Sequence, residues 1–177
     1  RAMEQSILVF MLVGFLAQLI DGALGMAYGV TSTTVLLGIG LPPATASASV
    51  HAAEVFTTAV SGISHFRFGN VDMALFKRLL IPGVIGGVLG AYILTQVPGD
   101  VIKPIVAVYL AIMGVIILLR ALRSMQAREV GRLAVPLGLA GGFMDAIGGG
   151  GWGPVVASTL IARGKEPRTS IGSVNLA

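Results

Sequence analysis

Four ionisable side chains sit inside stretches that are otherwise apolar: Asp21, His51, Glu54 and Asp145. An ionisable group in lipid-like surroundings marks a functional site by default. Asp21 and Asp145 can each do one of two things. Burial disfavours a carboxylate, so either could take up and release a proton. Either could instead accept the main-chain N–H groups that follow it and act as a cap. An ionised acid beside a bound anion repels it, so one charged carboxylate cannot serve both a proton cycle and an anion site at once. His51 and Glu54 are three residues apart, hence on one helical face. That pair suits a proton relay, a cavity wall or a buried contact that fixes helix packing. Asn175 holds the register of His51 later in the chain. A His-x-x-Glu pair supplies two metal ligands of the usual three or four, so no metal site and no cofactor is expected.

The two aspartates open two glycine-rich runs, Asp21-Gly-Ala-Leu-Gly-Met-Ala-Tyr-Gly29 and Asp145-Ala-Ile-Gly-Gly-Gly-Gly-Trp-Gly-Pro154. In a helix interior each glycine costs roughly 1 kcal/mol against alanine and proline roughly 3 kcal/mol. Both runs therefore predict broken helices. A helix that restarts after such a break presents free N–H groups and a positive dipole end, which attract an anion. Pro154 fits a first-turn position, where its missing N–H is not needed. The candidate substrate-binding residues are Gly25, Tyr28 and Gly29 in the first run and Gly149, Gly150, Gly151, Trp152 and Gly153 in the second. Asp21, His51, Glu54, Asp145 and Asn175 are candidate coupling or cavity-lining residues. The competing reading is close helix packing around small residues. Trp152 could stack on a ligand or simply pack.

The elements that must position these groups follow from composition. The chain is 55% hydrophobic and 11% charged, with mean hydropathy +0.89. A soluble domain carries about 25% charged residues, so the class is an all-α polytopic membrane protein, expected in the bacterial inner membrane. The net charge of +4 is no nucleic-acid signal, because the Lys and Arg residues lie outside the apolar runs or near their ends, where they can face headgroups and set orientation. The absence of cysteine excludes disulfides and thiolate chemistry. Partners are then the lipid bilayer, a small anionic substrate and a coupling ion, proton or sodium.

Along the chain, Ile7–Ile20 is 14 apolar residues, about 21 Å as a helix, too short for a bilayer core of about 30 Å. The first break and a second short apolar piece, Val30–Ile39, follow. Ala44–His65, Leu79–Val97 and Val101–Leu122 are long enough to span. Phe66–Arg78 is a polar loop, and Arg120, Arg123, Arg128 and Arg132 mark a basic connector. From Gly138 the pattern begins again: setting Gly14 on Gly138 aligns 40 positions without a gap, and 11 coincide, among them Asp21/Asp145, Gly25/Gly149, Gly29/Gly153, Pro43/Pro167 and Thr45/Thr169. The reading is a duplication, with residues 7–122 a first repeat (re-entrant hairpin plus three transmembrane helices), 123–133 the connector and 134–177 the start of a second repeat. Residue 1 is Arg and the second repeat is incomplete, so the chain reads as truncated. If each broken element enters and returns on one side, ten basic residues face the cytoplasm and Arg1 and Lys103 face outward. If each crosses, the count is eight against four. The positive-inside bias favours re-entrant elements. An odd number of crossings per repeat then makes the repeats inverted, the plan of many secondary transporters.

At these residues the chain resembles the sulfite-exporter (TauE/SafE) family of membrane permeases. The resemblance rests on Gly-Phe-x(5)-Asp-Gly-x-x-Gly at 14–25 and on Gly-x(6)-Asp-x-x-Gly-Gly-Gly-Gly-Trp-Gly-Pro at 138–154. Phe66-Arg-Phe-Gly-Asn-Val-Asp72 and the glycine helix from Pro82 to Gly90 extend it. It implies a two-repeat permease, not an enzyme, that moves sulfite, sulfoacetate or another small organosulfur anion outward. The first run departs from the second, with Leu24, Met26 and Ala27 where the second has glycines. The alternative within transport is a proton- or cation-coupled importer of another solute. An intramembrane enzyme would need a nucleophile or a metal set, and a non-transporting scaffold would bind no small ligand.

Overall fold

The computed structural model describes residues 2–122 and 133–177. Arg1, Arg123, Arg128 and Arg132, expected as orientation anchors, lie outside the described residues, with most of the connector and the side chain of Arg120. Among the described residues eight helices follow one another: α1 (Ala2–Leu24), α2 (Tyr28–Gly38), α3 (Pro43–Arg67), α4 (Met73–Gln96), α5 (Gly99–Ala121), α6 (Ala134–Gly148), α7 (Trp152–Ala162) and α8 (Pro167–Leu176). Among the described residues there is no strand. The chain is all-α, and α1, α4 and α5 are long and apolar enough to cross a membrane. Large aliphatic and aromatic side chains stay exposed along them, such as Leu8, Phe15, Val88, Tyr92 and Val108. That is the surface a lipid solvent permits and water does not.

The breaks recur in register. Leu24 and Gly148 end helices, Tyr28 and Trp152 start them, Gly38 and Ala162 end them, and Pro43 and Pro167 start the next. Each pair is separated by the same 124 residues, as counted from those positions. Gly25 and Gly149 both take left-handed backbone, φ 72° and 66°, and so do Gly40 and Gly164, φ 98° and 83°. This conformation is strained for residues with a Cβ and ends a helix cleanly.

The expectation that the first piece ends at Ile20 is corrected. Helix α1 continues through Asp21 to Leu24, 23 residues in all, about 34 Å at 1.5 Å per residue. The length argument for a re-entrant first element therefore fails. The cause is local. Asp21 keeps helical backbone, and its carbonyl accepts the Gly25 N–H that closes α1. Its counterpart α6 has 15 residues, and there α7 turns back: Val156 packs where a Cβ on Gly141 would stand. Leu160, near the end of α7, shares a buried cluster with Ala134 and Leu137 at the start of α6. The first turn of α7 is wide, because the Val156 N–H reaches five residues back to Gly151 while Pro154 offers no N–H. Such π-type turns concentrate at functional positions.

Glycines set the closest packing. A Cβ on Gly86 would overlap the Leu139 carbonyl, and one on Gly142 the Gly83 carbonyl, so α4 and α6 meet backbone to backbone. This is small-residue packing, the main adhesive between helices where lipid removes the hydrophobic drive. Helices α3 and α8, which start at the register-matched Pro43 and Pro167, also pack on each other through Gly62 and Gly172.

Candidate functional site

Each break is held by its own aspartate. Asp21 Oδ1 accepts the N–H groups of Ala27 at 2.7 Å and Tyr28 at 3.0 Å. Asp145 Oδ1 accepts those of Gly151 and Trp152, both at 2.9 Å. The carbonyl of each aspartate meanwhile takes the N–H four residues on, at Gly25 and Gly149. One residue thus closes the helix behind it and caps the helix ahead, twice, with identical spacing. Both aspartates occupy the brace position. The N–H groups of Gly25, Ala27, Tyr28, Gly149, Gly151 and Trp152 are consequently occupied, which narrows the expected anion cradle. Among the described residues, the N–H groups of Gly29, Val30, Gly150 and Gly153 carry no hydrogen bond within the protein.

The two tips touch. A Cβ on Gly29 would overlap the Gly149 carbonyl, one on Gly150 would stand 2.6 Å from Val30 Cγ2, and one on Gly153 would stand 2.9 Å from Met26 Cα. Nothing fits between Gly29 and Gly149 in this arrangement; a ligand would lie beside the contact. Three hydroxyls that the sequence did not single out line that junction. Thr33, 1% exposed, has a buried Oγ1 without a partner, and a Cβ on Gly149 would come within 2.6 Å of it. The Tyr109 hydroxyl of α5 is likewise buried and unpaired, 3.4 Å from where a Gly150 Cβ would be. A buried hydroxyl without a partner costs roughly 1–3 kcal/mol, which makes these two groups conspicuous. Ser47, by contrast, is satisfied: its Oγ donates to the Ala146 carbonyl at 2.6 Å and ties α3 to tip two.

Helix α3 also brings His51 and Glu54 to the junction. His51 Nε2 lies 3.1 Å from Asp145 Oδ2, the oxygen not used in the brace, while Nδ1 lies 2.7 Å from the Ser47 carbonyl. His51, Glu54 and Asp145 present one ligand atom each within 4.8 Å of one another. A Cβ on Gly29 would sit 3.1 Å from Glu54 Oε1, so this acid bridges from tip one to the Asp145 side. The third member, Asp145, is what sequence spacing alone could not add to the His-x-x-Glu pair.

Trp152 and Asn175 are placed differently. The Trp152 ring rests on Gly83 of α4, and its indole N–H donates to the Val174 carbonyl at 2.7 Å. Its donor is committed to packing, which anchors tip two to α4 and α8. Asn175 donates to Ser61 Oγ at 2.8 Å, in the α3–α8 contact. A groove of about 590 Å³ runs between α2 and α5, lined by Val30, Thr31, Thr34, Leu110 and Gly114 with Lys103 at one end. It is apolar and meets the junction only at Val30.

Outside the apolar segments, Lys165 Nζ bonds Asp72 Oδ2 at 2.9 Å, and the Asp72 N–H donates to Ser173 Oγ. Asp72 also caps α4 through the N–H groups of Ala74 and Leu75. The α7–α8 turn and the α3–α4 loop therefore share one face of the molecule.

Three helices long and apolar enough to cross a membrane, and two helix breaks that meet at a buried polar junction, define a polytopic all-α membrane protein. The chain belongs to the sulfite exporter TauE/SafE family, whose model matches residues 10–177. It is 50% identical over 179 residues to the probable membrane transporter protein YtnM of Bacillus subtilis (strain 168), covering 97% of this chain and 60% of that protein. It is 28% identical over 180 residues to the probable membrane transporter protein YdhB of the same organism, covering 96% of this chain and 71% of that one. The chain thus spans about three fifths of the length of YtnM. No solved structure matches.

Proposed function

We propose that this chain forms the substrate-binding portion of a secondary transporter that exports a small anion, sulfite, sulfoacetate or a related organosulfur anion. The anion is held beside the touching tips. The observation that carries this reading is the set of unsatisfied donors gathered there: the N–H groups of Gly29, Val30, Gly150 and Gly153 and the hydroxyls of Thr33 and Tyr109. Donors without a protein partner, most of them buried, suit an oxyanion. Residues 7–122 and 134–177 act as two repeats of opposite orientation that rock against each other. The Lys165–Asp72 bond favours this topology over one in which each broken element crosses, since crossing would put the two loops on opposite sides of the bilayer. The fold-back of α7 onto α6 favours it too.

The test is uptake and efflux of sulfite, sulfate, thiosulfate, taurine and sulfoacetate by the full-length protein in liposomes, with a thermal-shift screen of the same compounds. Saturable flux of a sulfur oxyanion is expected; flux of none of them, with no shift in melting temperature, overturns the reading.

A second reading is a proton-coupled importer of another solute. The meeting of His51, Glu54 and Asp145 favours it, because coupling ions in such folds bind at discontinuous helices near the midplane. Solute entry driven by an imposed proton gradient, in the absence of anion efflux, would select it.

A further inference from the structure

We infer that His51 and Asp145, with Glu54 beside them, hold one dissociable proton that sets the charge of tip two, and that tip one has no such switch. The inference rests on hydrogen-bond stoichiometry. A carbonyl oxygen only accepts, so the 2.7 Å contact with the Ser47 carbonyl places a hydrogen on His51 Nδ1. The Ser47 hydroxyl spends its own hydrogen on the Ala146 carbonyl and leaves only lone pairs toward Nδ1. If the ring were neutral, Nε2 would then face Asp145 Oδ2 at 3.1 Å with two lone pairs opposed. A proton or a metal ion must lie between them. A proton on Nε2 meets that need without moving an atom, giving a charge-assisted bond between imidazolium and carboxylate. A metal ion would take the place of that proton, since neighbouring ligands of one zinc also stand about 3 Å apart, so metal analysis belongs to the test.

The groups acting on His51 are Asp145 from α6 and Glu54 from its own helix; Asp21 of α1 and Tyr109 of α5 act in turn on those acids. Asp145 divides its labour: Oδ1 braces Gly151 and Trp152, and Oδ2 meets the proton. The brace and the proton therefore share one carboxylate. The matched aspartate differs. Asp21 Oδ1 braces Ala27 and Tyr28, and the register of His51 in the second repeat holds Asn175, which does not titrate and bonds Ser61. The asymmetry makes tip one a fixed brace and tip two a proton-responsive one. Resting on the anion-transport reading above, the consequence is that proton and anion bind tip two together, because the proton offsets the carboxylate charge that would repel the anion.

The test uses the full-length protein in lipid nanodiscs and reads the ring nitrogens of His51 by ¹⁵N NMR, with His65→Gln to remove the other histidine. Both nitrogens protonated at neutral pH is the expected result. Asp145→Asn is expected to return the ring to the neutral Nδ1–H form, since the amide oxygen keeps the brace while its NH₂ donates to Nε2. Glu54→Gln, which leaves both braces untouched, is expected to lower the occupancy of the second ring proton at high pH. A neutral ring in the unsubstituted protein, or stoichiometric zinc on metal analysis, overturns the proton site. Sulfate is the anion probe. Proton uptake on sulfate addition, lost in His51→Gln, supports joint binding, and sulfate binding without uptake overturns it. An imidazolium signal with no sulfate response retains the proton site and sinks the anion reading instead.

Discussion

Lys165 Nζ stands 2.9 Å from Asp72 Oδ2, joining the turn after the second broken helix to the loop after α3. The chain contains no cysteine, so single cysteines report sidedness directly. Arg67→Cys and Arg168→Cys, both at exposed positions, should react with a membrane-impermeant maleimide from the same side of sealed vesicles. Asp100→Cys, at the α4–α5 turn, should react from the other side. Labelling of Arg67→Cys and Arg168→Cys from opposite sides would require the second broken element to cross.

The same ion pair has a pH signature. The hydrogen bond from Lys165 holds the Asp72 carboxyl below the usual carboxylate range, helped by the Leu75 N–H. A carboxyl depressed in the folded state contributes stability at pH above its ordinary value, and that contribution disappears as pH falls through the folded value. Acid should therefore loosen this face below about pH 4. Lys165→Met should shift that loss to higher pH, with a cost at neutral pH of no more than about 1 kcal/mol for so exposed a pair, smaller still in high salt. Thermal unfolding across pH, with and without the substitution, measures it.

Close approach of the tips is testable by one methyl group. Gly29→Ala would drive a Cβ into the Gly149 carbonyl, whereas Gly114→Ala meets nothing within 4 Å. The second change should be neutral or stabilising by up to about 1 kcal/mol, since alanine is the better helix former. The first should separate the tips, lower the melting temperature and abolish flux. Equal behaviour of the two variants would mean the tips do not meet in the working protein.

How much of this the sequence disclosed depends on the residue. Glycine, proline and aspartate at fixed offsets act through local backbone rules, so both breaks and the register between them were readable in advance. The end of α1 was not, because an aspartate in an apolar run looks like a terminus when it is a helical residue reaching forward. Asp145 was visible as an acid and His51 as a base, but their meeting across 94 residues is a product of packing. Thr33 and Tyr109 gave no signal at all: hydroxyls are ordinary in membrane helices, and these two stand out only by being buried without partners against Gly149 and Gly150.

The braces should cost more to lose than any surface pair. Asp21→Ala strips the acceptor from the Ala27 and Tyr28 N–H groups, and two unpaired donors cost roughly 1–3 kcal/mol each where they are buried. Asp21→Asn keeps an oxygen for them and should recover much of the loss. A melting-temperature series of Asp21→Ala, Asp21→Asn and unsubstituted protein should fall in that order, lowest first. Indistinguishable alanine and asparagine variants would mean charge, not acceptance, is what Asp21 contributes.

Hydroxyls that satisfy nothing in the resting protein should be cheap to remove and expensive for the ligand. Thr33→Val and Tyr109→Phe delete buried groups that have no partner, and replacing an unsatisfied polar group by an apolar one of the same shape is neutral or stabilising. Neither variant should unfold more readily than the parent. If the two hydroxyls donate to a bound oxyanion, each loses a hydrogen bond to a charged acceptor, about 1.5–3 kcal/mol, or roughly ten- to a hundredfold in Kd. Isothermal titration with sulfite, alongside thermal melts, separates the two effects. Weaker binding at unchanged stability places the anion at Gly149 and Gly150. Unchanged binding in both variants moves it away from tip two, and a fall in stability would mean the hydroxyls serve the fold.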